Sequence, residues 1–271
     1  MTLVTELTSR ECNQYLVRGG DIALVPAGSV EVLGPHLPIG ARCYTAEALA
    51  VLLAEKVNGL RLPLTPFTVA DTTFDRPGSV TAQETVANGY VRAVLDDLHA
   101  QGFRRLLLIA SLDYMTYYLP QEFYEDHQVA AAGIDPRTAL WRQEGETRVG
   151  EDSLIVGALR VLGKDDLAAR VVSENARLLA EGFQSAPLPA DLLALQQVGN
   201  VGFTFPPGAF PLPPNPGLSG EKGEALLRRA AEVLAPELES LRTYNEFLAK
   251  RRTSRGLTWT GWSWAHGEEV R

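Results

Sequence analysis

Residues 27–40 read Ala-Gly-Ser-Val-Glu-Val-Leu-Gly-Pro-His-Leu-Pro-Ile-Gly and follow directly on an apolar run, Ile22 to Val25. The run predicts a short buried strand over Ile22–Pro26. The stretch after it is a turn set in glycine and proline that carries one acid, Glu31, and one imidazole, His36. Working outward, Thr45–Val57 predicts a helix with Leu49, Leu52, Leu53 and Val57 on one face, and Leu60–Phe67 predicts a second strand. Thr81-Ala-Gln-Glu84 has the form of a capping box, a threonine hydroxyl accepting from the third amide while the glutamate reaches back. The helix it opens places Tyr90, Val91, Val94, Leu95 and Leu98 at spacings of three and four and ends near Gly102. Arg104–Ala110 then predicts a strand buried on both faces, because Leu106-Leu107-Leu108-Ile109 is too uniformly apolar for a half-exposed edge. Strand, helix and strand with short connections imply parallel pairing and right-handed crossovers.

The later chain is mostly helical. Ser153–Leu162 and Leu167–Glu181 carry helical apolar spacing. Ser219–Leu248 keeps Leu226, Ala230, Val233, Leu234, Leu238 and Leu241 on one stripe. Between them, Phe205 to Gly217 holds six prolines, which forbid helix and central strand. That segment is a rigid surface loop, a lid or a polyproline ligand. The organisation predicted is one α/β domain over residues 1–250 and a tryptophan-rich tail over 251–271.

Composition bounds the function classes. The 271 residues carry a net charge of −8, which argues against nucleic acid or an anionic membrane as partner. No stretch approaches the ~18 apolar residues of a membrane span. Cys12 and Cys43 form neither a disulfide framework nor a zinc pattern. A cytoplasmic, reduced protein is expected.

The turn resembles the signature of the creatininase family, GSxEQHGPHLPLGTD. Gly28, Ser29, Glu31, Gly34, Pro35, His36, Leu37, Pro38 and Gly40 stand where the family has them. Four further segments resemble family elements in the same order. Arg76-Pro77-Gly78-Ser79 stands for FPGT, and Gly102-Phe103-Arg104-Arg105 opens the strand that leads to NGHGGN. Gly150-Glu151-Asp152-Ser153-Leu154 stands for the ETS-Leu segment, and Glu221-Lys222-Gly223 for the EKG element. The resemblance implies a layered α/β/α domain with a mostly parallel sheet, and homo-oligomers, of which hexamers are common in the family.

The family implies two divalent metals, zinc or manganese, that activate a water against a cyclic or linear amide carbon. Of the ligand slots the resemblance identifies, Glu31 is retained, while Leu33 and Leu112 stand where histidines belong and Arg42 where the bridging aspartate belongs. Tyr114 fills a slot some members give to a carboxylate; others take it from the ETS segment, where Glu151 remains. A dication about 4 Å from a guanidinium meets roughly 8 kcal/mol of repulsion at an effective dielectric near 20. The pattern therefore predicts no metal at these slots, with the Arg42 guanidinium in the metal's place, paired with Glu31 and with Glu151. No cofactor is expected, or Zn or Mn if the chain is a hydrolase after all.

The remaining candidates carry a plain reading and a functional one. His36 is a loop histidine satisfied by backbone, or with Glu31 a catalytic acid/base. Asp113 follows a buried strand, as a ligand group does in an open α/β sheet, or caps a helix. Trp141 packs, or covers a substrate as family aromatics do in this region. Glu144, Glu146, Glu151 and Asp152 form a solvated helix start or an acidic metal cluster. His99 and His127, the latter in an acidic loop, are expected to be solvated. A cation such as Arg42 beside Cys43 can lower a thiol pKa, but no Cys/His/Asn pattern supports a nucleophile there. Trp259, Trp262 and Trp264 are expected to pack on the domain or across a subunit interface. Function divides into a member without the metal pair that acts by small-molecule binding or assembly, and an amidohydrolase of non-peptide C–N bonds with a modified or single-metal site built from Glu31, His36, Asp113 and Glu151. An active paralogue as partner is a third option.

Overall fold

Alternate residues of two central strands face opposite layers, and this builds the domain. β2 (Ile22–Ala27) and β4 (Arg105–Ala110) run parallel, in register from Ile22↔Arg105 to Ala27↔Ala110. Ile22, Leu24, Leu107 and Ile109 point into one core, while Ala23, Val25, Leu106, Leu108 and Ala110 point into the other. β1 (Thr2–Leu3), β3 (Leu60–Arg61) and β5 (Ala132–Ile134) complete a five-stranded sheet of order β1-β3-β2-β4-β5, parallel at every pairing. The computed structural model of the protein describes residues 2–70, 72–111, 113–141, 149–197 and 202–255. The expectations on Leu112, Glu144, Glu146 and the tryptophans of the tail lie outside the described residues, as do those on the side chains of Asp113, Tyr114 and Trp141.

One face of the sheet is covered by α1 (Ser9–Val17), α3 (Glu84–Gln101) and α4 (Asp113–His127), and the other by α2 (Ala41–Val57), α5 (Thr138–Trp141), α6 (Glu151–Val161) and α9 (Gly220–Arg255). α7 (Asp165–Ala180) packs outside α6, and α8 (Ala190–Gln196) presents no buried residue. The chain is thus a layered α/β/α fold with a parallel sheet. α2 lies between the sheet and α6 and α9, so it is buried around most of its circumference, and its alanines let those elements approach. α6 and α9 cross where Gly157 meets Gly223: a methyl on Gly223 would overlap the carbonyl oxygen of Ser153. That close approach joins the start of α6 to the start of α9.

Several expectations are corrected. The strand predicted over Leu60–Phe67 pairs only at Leu60–Arg61 plus a bridge from Thr65 to Ala27, because Pro63 and Pro66 have no N–H for the ladder. Thr81 does not cap α3. Its hydroxyl accepts from the Ala70 amide at 3.0 Å, and the residue before the helix is Gln83. α2 begins four residues before Thr45. Gly102 does end α3, at φ 112°. His127 closes α4 rather than sitting in a loop; its Nε2 lies 2.7 Å from Asp96 Oδ1 and its ring 4.8 Å from that of His99. His99 packs edge-on against Phe123 at 5.5 Å, and burial, with Arg104 and His127 nearby, lowers its pKa.

Candidate functional site

β2 and β4 end side by side at Ala27 and Ala110, so the turn that follows β2 emerges at the carboxyl edge of the sheet. Gly28 is required there: a Cβ on it would stand 2.6 Å from the Cα of Cys43, where α2 starts. The turn closes on itself through the Glu31 amide, which donates to the Ile39 carbonyl at 2.8 Å. This brings the first turn of α2, with Arg42, back over Glu31.

Glu31 is 1% exposed. Its Oε1 accepts from the Ser29 hydroxyl and pairs with Arg42 Nη1 at 3.0 Å, and its Oε2 accepts from the Thr73 hydroxyl at 3.1 Å. A buried carboxylate is tolerable only when paired and hydrogen-bonded, and here one cation and two hydroxyls meet that condition. Glu151, at the start of α6, is the second acid, with Oε1 3.9 Å from Arg42 Nε. Burial raises its carboxyl pKa, against the pull of Arg42 and Arg137. One guanidinium thus stands between a buried acid and a partly buried one from distant parts of the chain.

The apolar substitution beside this pair is structural as well. Leu33 is buried with Ala41 and Ile155, and Leu37 and Leu212 pack against them. A leucine has no lone pair and a guanidinium has no acceptor, so positions 33 and 42 supply no metal donor. Among the described residues, no three histidine, cysteine, aspartate or glutamate side chains gather as a metal site would. The described side chains at positions 33 and 42 do not fit a metal pair.

The other candidates separate. His36 is 5% exposed, and neither ring nitrogen has a hydrogen-bond partner, so it is not satisfied by backbone. Burial lowers its pKa, while Asp152 and Glu174 pull it up. Asp152 is not solvated: it is 3% exposed, and its Oδ1 accepts from the Ser153 amide at 2.8 Å and from Asn215 Nδ2 at 3.3 Å. Cys43 is not activated by Arg42. Burial pushes its thiol pKa up to about 12. α4 begins at Asp113 itself.

Sequence reasoning missed Thr73, Asn215 and the role of Arg76. Arg76 Nη2 donates to the carbonyls of Phe205, Pro206 and Ala209 at 3.1, 2.7 and 2.6 Å, and its guanidinium stacks over the Phe210 ring at 5.0 Å. The arginine in the slot of the family's FPGT phenylalanine was the available signal. The proline-rich segment it holds is a loop with turns, neither helix nor strand, as its prolines require.

The sequence profile described as creatininase, creatinine amidohydrolase, matches residues 5–112. Solved structures share the fold at low identity. A creatininase designated Mn superimposes with a TM-score of 0.67 at 18% identity, over 88% of this chain and 98% of its own. A mutant creatininase of the Zn-Zn type gives 0.64 at 17%, over 88% and 97%. A putative creatinine amidohydrolase from Bacteroides fragilis gives 0.57 at 19%, over 88% and 92%. No curated protein matches the chain in sequence. The profile spans α1 to β4 and includes the whole Glu31 turn, and the shared fold, over 88% of the chain, reaches beyond it. The chain thus resembles the creatininase family over the segment that carries the Glu31 turn and shares the creatininase fold.

Proposed function

We propose that this member of an amidohydrolase-type family has exchanged the dinuclear metal site for the Arg42 guanidinium and acts by binding a small molecule or by assembly rather than by metal-dependent hydrolysis. The observation that carries the reading is the 3.0 Å contact of Arg42 with a Glu31 carboxylate that is 1% exposed. A metal at Glu31 would have to displace this cation and leave a guanidinium close to a dication, at a cost of roughly 8 kcal/mol at 4 Å and a dielectric near 20. The apolar packing of Leu33 supports the same reading, since it fills a ligand slot with core. The unpaired thiols Cys12 and Cys43 support a reducing, cytoplasmic setting.

The test is reversion. Zinc titration of the wild-type protein is expected to show no binding in the micromolar range. The triple variant Leu33→His, Arg42→Asp, Leu112→His is expected to gain it, because it returns three donors to the two acids. Micromolar zinc binding by the wild type would overturn the proposal. It would favour instead an amidohydrolase of non-peptide C–N bonds with a modified site, a reading that one observation supports: the two unpartnered nitrogens of buried His36, which leave an imidazole free to take part in proton transfer.

A further inference from the structure

The proline-rich segment crosses the Glu31 turn from one wall of the site to the other. At one end the Phe205 amide donates to the Thr72 carbonyl at 3.0 Å, and Thr73, the next residue, donates to Glu31. In the middle the Leu212 amide donates to the Leu33 carbonyl at 2.8 Å, and the Leu212 side chain packs on the Leu33–Ala41–Ile155 floor beside Arg42. At the far end Asn215 Nδ2 reaches Asp152, the neighbour of Glu151, while its backbone exchanges two bonds with Asn175, donating to Oδ1 at 2.9 Å and accepting from Nδ2 at 3.0 Å. The Ser219 amide then donates to the Ser153 hydroxyl at 2.9 Å. The strap is therefore tied to the turn that supplies a partner to Glu31 and to the helix start that supplies Glu151.

We propose that Arg76 is a positioning residue that latches this strap across the Glu31–Arg42–Glu151 locus and so sets what can reach Arg42. The proposal rests on the reading of that locus as the ligand site. The terminal Nη2 of Arg76 reaches three carbonyl oxygens of the proline-rich chain, and its planar face, which an ammonium lacks, takes the Phe210 ring. The stretch that holds Arg76 is bonded to the Glu31 turn, because it also holds Thr73, which donates to Glu31, and Ser79, whose hydroxyl accepts from the Val32 amide at 3.1 Å. Release of the strap would thus free both the cover and one wall of the site.

Hydrogen exchange on the full chain, with mapping of arginine modification by phenylglyoxal, tests this. In Arg76→Ala the amides of Phe205, Phe210 and Leu212 are expected to exchange about tenfold faster, the scale on which a lost hydrogen bond shifts a local opening. Arg42 is expected to become several-fold more reactive, with the amides of α2 and β4 unchanged. Arg76→Lys, which keeps a charged donor but loses the planar face over Phe210, is expected to loosen the strap less than Arg76→Ala does. Unchanged strap exchange, a uniform rise across the core amides, or a loosened strap with Arg42 still shielded would each overturn the proposal. Should Arg76→Ala not fold, Asn175→Ala removes the two bonds that hold the Asn215 backbone and must speed exchange within 210–217 and raise Arg42 reactivity, or the proposal fails. Zinc binding by the wild type would remove the reading of the site but leave the strap's exchange as described, so the two failures are distinguishable.

Discussion

Arg42 Nη1 lies 3.0 Å from Glu31 Oε1, in a turn where Glu31 keeps almost no contact with water. The pair joins the end of β2 to the start of α2. Charge, hydrogen bonding and packing agree at this point: the cation offsets the buried carboxylate, two hydroxyls take its remaining lone pairs, and Leu33 closes the apolar side.

Breaking that pair from one side leaves an unpaired buried charge. Arg42→Met is expected to cost about 3–5 kcal/mol of unfolding free energy by urea denaturation. The double variant Arg42→Met, Glu31→Gln is expected to recover part of that loss, because it leaves no lone charge behind. A loss under ~1 kcal/mol in Arg42→Met would mean that the pair is solvated.

Cys43 and Cys12 should differ in reactivity. The Cys43 thiol donates to the Ser29 carbonyl at 3.3 Å and is buried, with its pKa near 12, whereas Cys12 is half-exposed. At pH 8 one thiol per native chain is expected to react with iodoacetamide, and peptide mapping should place it at Cys12. Rapid labelling of Cys43 in the folded protein would contradict the packing of Gly28 against α2.

His36 predicts an acid-side loss of stability. Its folded pKa lies below the ordinary value of 6.5, so the unfolded chain takes up a proton that the folded one refuses. The stabilisation is complete above pH 6.5 and is lost as pH falls through the folded pKa. Denaturation midpoints should drop on acidification from pH 7, and less steeply in His36→Gln. Identical slopes would show that His36 is solvated in the folded state.

Gly223→Ala places a methyl where the Ser153 carbonyl already stands, at the crossing of α6 and α9. Helix propensity alone would favour alanine by up to ~1 kcal/mol. Backbone overlap should reverse the sign and lower stability by about 1–3 kcal/mol or more. A more stable variant in thermal denaturation would mean that the two helices are not in contact there.

The central layer was legible in the sequence because its signals are local and redundant. The Ile22–Val25 and Leu106–Ile109 runs, with the intervening periodic helix, admit little besides buried parallel strands. What was not legible depends on distant neighbours. α4 hides behind Pro120, which a helix tolerates only in a supporting context, and Thr81 resembles a cap until the Ala70 amide claims it. At the site, Glu31 and Arg42 could be paired by charge and proximity in the chain, and Glu151 through the family resemblance. Thr73 and Asn215 carried no such mark, because each acts through a partner far away in the chain, and Arg76 was marked only by standing where the family has phenylalanine.

The most direct measurement is the metal content of the purified full-length protein, by elemental analysis after growth with added zinc and manganese and extensive dialysis. The account predicts well under one metal ion per ten chains, since position 42 carries a cation and position 33 a hydrocarbon. One or two zinc or manganese ions per chain would contradict it.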